Sequence, residues 1–303
     1  MAFTAQDVKT LREKTGCGMM DCKKALTESN GDMDAAIDFL REQGLAKQAK
    51  KASRIAAEGV AMAITNDSND VGCVVEVNSE TDFVAKNPDF QAFVNICAKT
   101  IIEKNPADVD ALLETVAVGS TETIAALLQN IVLVIGENIK IRRFERVEGP
   151  CVAYVHAGGK IGVIVNFTTD IDATNDGFVA YGKDVAMQIA ALSTLYLNKE
   201  DVPADVIEHE KKIMTEQVIN EGKPAAIAEK IVMGKIGKYY KENCLIEQAF
   251  VKNDKISISQ YTSDTAKALG GSIVINKFVR FEKGEGIEKR QDDFAAEVAN
   301  MVK

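Results

Sequence analysis

Glu58-Gly59 and Val71-Gly72 recur as Glu148-Gly149 and Ile161-Gly162, both pairs displaced by 90 residues (148−58 and 161−71). Nothing else in the sequence limits the fold as strongly. In the first copy, GVAMAIT and VGCVVEVN are separated by NDSND, the pattern of a β-hairpin. A polar turn follows, and then Asn87-Pro88, a favoured N-cap with proline at the first helical position. That spacing predicts a helix to about Lys104, with helical patterns continuing to about Val134. The second copy, EGPCVAYVHAGGKIGVIVNF, repeats the hairpin, with Gly158-Gly159-Lys160 as its turn, and a helix is expected over 176–196. A related strand closes the chain: RFERVEG at 143–149 resembles RFEKGEG at 280–286. The chain therefore reads as two copies of one α+β unit.

The flanks are helical. Thr4 and Asp7 have capping-box spacing, Val8 and Leu11 share a face, and Gly16 is expected to end this first helix. A second helix fits Asp21 to Ser29, and a third Met33 to Gln43, with Gly44 following. The expected organisation is a three-helix domain at 1–45 and a basic helical linker at 46–57. A first α+β subdomain would span 58–147 and a second 148–284, followed by a helical module at 285–303. A helical hairpin is expected inside the second subdomain at about 199–243, where Pro203 and Pro224 each sit at a helix start. Its stripe of Val206, Ile213 and Val218, then Ile227, Ile231 and Ile236, suits internal packing better than a dimer surface. The fold class is α+β with antiparallel sheets.

The formal charge of −9 argues against a phosphate backbone as direct partner. No apolar run is long enough to span a bilayer, and the start has no hydrophobic signal core, so a cytoplasmic protein is expected. The six cysteines contain no CxxC and read as small apolar fillers. His156 and His209 lie in no catalytic signature, and Asn198-Lys199-Glu200-Asp201 has no phosphate loop to make it a guanine reader. Neither a metal nor a cofactor is expected. One stretch stands out: VNSETDFVAKN at 77–87, a polar turn carrying Phe83 beside Asp82. At the 90-residue displacement Asp82 matches Asp172 while Phe83 matches Ala173, so the scaffold does not itself call for an aromatic. The residues leave open whether Phe83 folds back onto its own domain or is presented outward. This favours a protein that acts by contact.

Two long segments, LREKTGCGMMDCKKAL at 11–26 and EVNSETDFVAK at 76–86, resemble signature segments of the bacterial translation elongation factor Ts family. The similarity extends through IGENIKIRRFE, GKPAAIAEKIV and FVRFEKGEGIEK. The resemblance implies an amino-terminal domain like a ubiquitin-associated (UBA-like) domain, a two-part core, a helical hairpin and a carboxy-terminal helix. It implies a guanine nucleotide exchange factor, without covalent chemistry, for the GDP form of elongation factor Tu. On the same basis, Thr81, Asp82, Phe83 and Val84 match the segment associated with dislodging Mg2+ from that GTPase. Leu11, Met19, Met20 and Lys23 match positions near the partner's nucleotide-binding domain. By pattern alone, Met19 and Met20 fit core packing of the small bundle equally well. A homodimer or a 2:2 complex stays open, and a passive adaptor without exchange activity is the alternative.

Overall fold

The computed structural model describes residues 3–15 and 17–288, apart from the side chains of 45–50 and 225–226. The expected end at Gly16 and most of the expected carboxy-terminal helix lie outside the described residues. The architecture is mixed α+β, as the sequence predicts. The chain divides into two compact units. One comprises the chain up to Met62, Val75–Phe144 and the chain from Phe281 onward; the other comprises Ala63–Val74 and Glu145–Arg280.

The first unit opens with α1 (Ala5–Thr15), α2 (Met19–Glu28) and α3 (Met33–Lys51). The capping box forms: the Thr4 amide donates to Asp7 Oδ2 at 2.7 Å and the Asp7 amide to Thr4 Oγ1 at 3.3 Å. Val8, Leu11, Cys22, Leu26 and Leu40 close a small core of the kind expected of a UBA-like bundle. Helix α3 does not stop before Gly44 but runs through it. A side chain there would lie 3.5 Å from the carbonyl oxygen of Gln129. The glycine does not end its helix, and a Cβ there would make only ordinary van der Waals contact.

Strands β1 (Glu58–Thr65) and β2 (Val71–Ser79) form the first hairpin, followed by a one-turn helix α4 (Asp82–Ala85) and the long helix α5 (Pro88–Lys104). Asn87 caps α5 by accepting from the Asp89 and Phe90 amides. Helices α6 (Val109–Glu114) and α7 (Ile124–Ile135) lead to β3 (Lys140–Glu148), which lies beside β2 in a sheet of order β1-β2-β3.

The second unit repeats the plan. Strands β4 (Cys151–His156) and β5 (Ile161–Thr169) pair antiparallel, and α8 (Asp176–Leu192) follows, ending four residues earlier than predicted. Helices α9 (Ala204–Asn220) and α10 (Ala225–Asn243) form the helical hairpin, closed on Val218, Ala228, Val232 and Ile236. A short pair, β6 (Ala249–Phe250) and β7 (Asn253–Ser257), and helix α11 (Ile258–Leu269) precede β8 (Ile273–Glu282). Strand β8 completes the order β4-β5-β8, the place that β3 takes in the first sheet.

Helix α8 lies so close to β4 that a Cβ on Gly182 would sit 2.4 Å from Val152 Cγ2 and 2.7 Å from Val152 Cβ. The β-branched Val152 cannot swing away by a simple rotation. Gly182→Ala is therefore expected to destabilise the fold by about 1–3 kcal/mol despite the helix propensity of alanine. Urea denaturation checks this, and unchanged stability would show that the packing yields.

The two copies differ in one respect that the sequence displacement hides. Helices α5 and α8 both have 17 residues and both begin after an asparagine cap, yet they are offset by 88 residues (176−88), not 90. The step from Ser79 to Pro88 takes nine residues (88−79), and that from Thr169 to Asp176 takes seven (176−169). The first copy has two surplus residues between strand and helix, and α4 occupies that longer connection. The pairing of Phe83 with Ala173 is thereby corrected. Counted from the helices, Ala173 corresponds to Ala85 (173−88), which is buried, and Phe83 projects from a turn that the second copy lacks.

Candidate functional site

The α4 turn is held at both ends and bare in the middle. On its downstream side, Val84 and Ala85 are buried, the Lys86 and Asn87 amides donate to the carbonyls of Phe83 and Val84, and Gln91 Nε2 donates to the Ala85 carbonyl. On its upstream side, Ser79 Oγ donates to the Thr81 carbonyl at 2.9 Å, and Thr81 itself is half-buried. Between these anchors Phe83 is 79% exposed, the highest value for any large apolar side chain among the described residues. An aromatic ring in water forgoes about 1.5–3 kcal/mol of burial, so its presentation calls for an explanation other than folding.

Lys86 flanks the ring. Its ammonium lies 6.0 Å from the Phe83 centroid and 3.0 Å from Asp82 Oδ2. The hydrogen bond and charge of Lys86 hold the Asp82 carboxyl below the usual carboxylate range. Asp82 thus stays ionised and forms the acidic side of a small surface whose other side is aromatic. Asp172, which the 90-residue displacement sets against Asp82 but the helix count does not, does something else: it accepts from the Thr174 amide and hydroxyl at 2.8 and 2.7 Å and closes its own turn.

In the amino-terminal bundle, Met19 and Met20 are 55% and 74% exposed, and Lys23 is exposed one turn further along α2. The two methionines therefore form surface, not core. Leu11 differs: it has no exposed area and packs inside the bundle, so it supports that surface from behind.

Among the described residues, no group of three or more His, Cys, Asp or Glu side chains is arranged to hold a metal ion. All six cysteines are buried as thiols, and burial pushes Cys73 and Cys151 up to about 12. Such thiols are poor nucleophiles. His156 shares a 3.0 Å hydrogen bond with Tyr154. Among the described residues, no helix is long and apolar enough to cross a membrane.

A family model described as elongation factor TS matches residues 80–285, beginning one residue before Thr81. The chain belongs to the elongation factor Ts family. The similarity also covers the amino-terminal bundle. Elongation factor Ts of Clostridioides difficile (strain 630) is 51% identical over 304 residues, covering 99% of each chain. Elongation factor Ts of Symbiobacterium thermophilum is 49% identical, covering 99% of this chain and 98% of its own. That of Syntrophotalea carbinolica is 45% identical over the whole of both chains. Membership in the elongation factor Ts family gives the chain a role as a translation elongation factor.

The sequence marks the TDFV residues but not those bonded to them or beside them, Glu137, which accepts from Thr81, and Asn138, whose amide donates to Glu80. The only signal was the polar Gly-Glu-Asn after the apolar run of α7. That pattern marks a helix end without saying what it touches.

Proposed function

We propose that this protein is the guanine nucleotide exchange factor for elongation factor Tu, and that it acts through the α4 turn without covalent chemistry. It binds the GDP-bound GTPase in the cytoplasm, and Phe83 enters an apolar slot on the partner. GDP on a GTPase is held by a phosphate loop and by Mg2+ bridging its phosphates. A ring wedged nearby favours the conformation in which the ion and then the diphosphate are lost. Asp82 accepts hydrogen bonds from the partner; a single exposed carboxylate is too weak a ligand to carry the Mg2+ away itself. Thr81 and Val84 hold the turn, while Met19, Met20 and Lys23 add contact area over the Leu11 core.

The observation that carries this reading is the 79% exposure of Phe83 on a turn anchored at both ends. An aromatic held out on a fixed base suits insertion into a partner, whereas an aromatic for local packing would be covered. Coupling of this kind is reciprocal: GDP must weaken the complex by the factor by which the complex weakens GDP.

Stopped-flow release of a fluorescent GDP from purified elongation factor Tu tests the proposal. Acceleration by substoichiometric amounts of this protein is expected. Binding without acceleration would make it an adaptor, and absence of both would reject the partner.

A further inference from the structure

Thr81 occupies the N-cap of α4, yet its hydroxyl does not cap that helix. Thr81 Oγ1 instead donates to Glu137 Oε1 at 2.7 Å, and the Thr81 amide donates to Glu137 Oε2 at 2.9 Å. One carboxylate thus takes both donors of one residue. Such a two-point, charge-assisted grip fixes orientation as well as distance. The neighbouring residues return it: the Asn138 amide donates to Glu80 Oε1 at 2.6 Å, and Asn138 Nδ2 donates to the Arg54 carbonyl at 2.8 Å. The Arg54 guanidinium also reaches Glu80, at 3.4 Å. Residues 80–81 and 137–138 are therefore tied by reciprocal bonds.

Glu137 is well placed for this. It follows Gly136, the left-handed C-cap at which α7 ends, so its backbone is fixed by a long helix packed in the core. The turn it grips has no comparable support of its own. A four-residue helix is far below the length at which a helix holds itself together. Buried Val84 and Ala85 secure one end; at the other, the Ser79 hydroxyl donates to the Thr81 carbonyl and the Glu137 carboxylate accepts from both Thr81 donors.

We propose that Glu137 is a positioning residue for nucleotide exchange: it locks the Thr81 end of the α4 turn so that Phe83 meets the partner in one orientation. This rests on the exchange reading of the Phe83 turn. Glu137 acts only through Thr81 and touches neither GTPase nor nucleotide.

The test uses the full chain carrying Glu137→Gln, which keeps the side-chain volume but removes the charge, so that the Thr81 amide and hydroxyl meet a neutral carboxamide. Hydrogen exchange at the Thr81 amide of the free protein should speed up about five- to tenfold, the worth of the charge in a charge-assisted bond. Acceleration of GDP release should fall by a similar factor, with the thermal midpoint within a few degrees of wild type. In a Phe83→Ala background, Glu137→Gln should have no further effect on release, a non-additivity that a general loss of stability would not produce. If Glu137→Gln does not fold, Thr81→Val, which deletes only the hydroxyl donor, replaces it. Unchanged Thr81 amide exchange would overturn the proposal. So would a loosened Thr81 amide with GDP release at the wild-type rate. A wild-type protein that does not speed release at all would overturn the exchange reading itself, a result distinct from both.

Discussion

Phe83→Ala is expected to slow the release of GDP from elongation factor Tu by this protein about ten- to hundredfold. The magnitude follows from what the ring gives up in the free protein. At 79% exposure almost all of its apolar surface remains to be buried. Burying a phenylalanine is worth about 1.5–3 kcal/mol, and every 1.4 kcal/mol is about a factor of ten. If that energy is released only when the nucleotide site distorts, its loss appears in the coupling between the two ligands. Affinity for the GDP-bound GTPase should therefore change little, while GDP and this protein should compete less strongly. Fluorescent GDP release and titration of both GTPase forms separate these quantities. Equal loss of affinity for both forms would make Phe83 a simple anchor, and no loss in either assay would remove it from the mechanism. Stability should not suffer, because the ring packs against little in the free protein.

The second large effect concerns the fold. Glu76 has no exposed area, and its carboxylate accepts from Arg142 Nη1 at 3.0 Å, Arg143 Nε at 2.6 Å, Asn78 Nδ2 at 3.0 Å and the Gly284 amide at 2.8 Å. Glu76→Ala leaves these donors around an empty space, among them the buried Gly284 amide. Breaking a buried ion pair on one side costs about 3–5 kcal/mol, and the partial exposure of both arginines puts the expected loss near the lower end. Urea unfolding measures it, and a loss below about 1 kcal/mol would show that water replaces the carboxylate. Burial pushes the Glu76 carboxyl up, but the hydrogen bonds from Gly284, Asn78, Arg142 and Arg143 together outweigh it and hold the group below its usual 4.5. Its folded value is thus lower than its unfolded one. The stability it contributes is full above about pH 4.5 and is lost as the pH falls through the folded value. Glu76→Gln should lack that contribution at neutral pH and lose less than wild type on acidification.

Much of this architecture was legible because local rules decide it. Asn87-Pro88 starts a helix wherever it occurs with an apolar stripe behind it, and the NDSND and Gly158-Gly159 turns are hairpin chemistry. The misses have non-local causes. Gly44 reads as a stop in a single helix, but α3 runs through it with Leu133 of α7 packed alongside. The bonds of Glu137 to Thr81 and of Glu76 to Gly284 span 56 and 208 residues. No pattern in one sequence tells which carboxylate of an acidic chain meets which amide. Of the site itself, Phe83 stands out as an aromatic in a polar turn, and Asp82 only as the acid beside it. Whether the ring was covered depended on packing around Val84 and Ala85, which composition does not carry. Leu11 stood in the same motif as Met19 and Met20, but it faces inward while they face out.

The surplus pair of residues before α5 has a consequence for recognition. A chain made of two equal repeats would offer any receptor two indistinguishable ways to engage, and half of the encounters would be unproductive. Lengthening one connection marks one copy without altering a strand or a long helix. Together with the α9–α10 hairpin, found only in the second copy, the longer connection gives the molecule a polarity, and specificity of this kind is independent of the strength of any single contact.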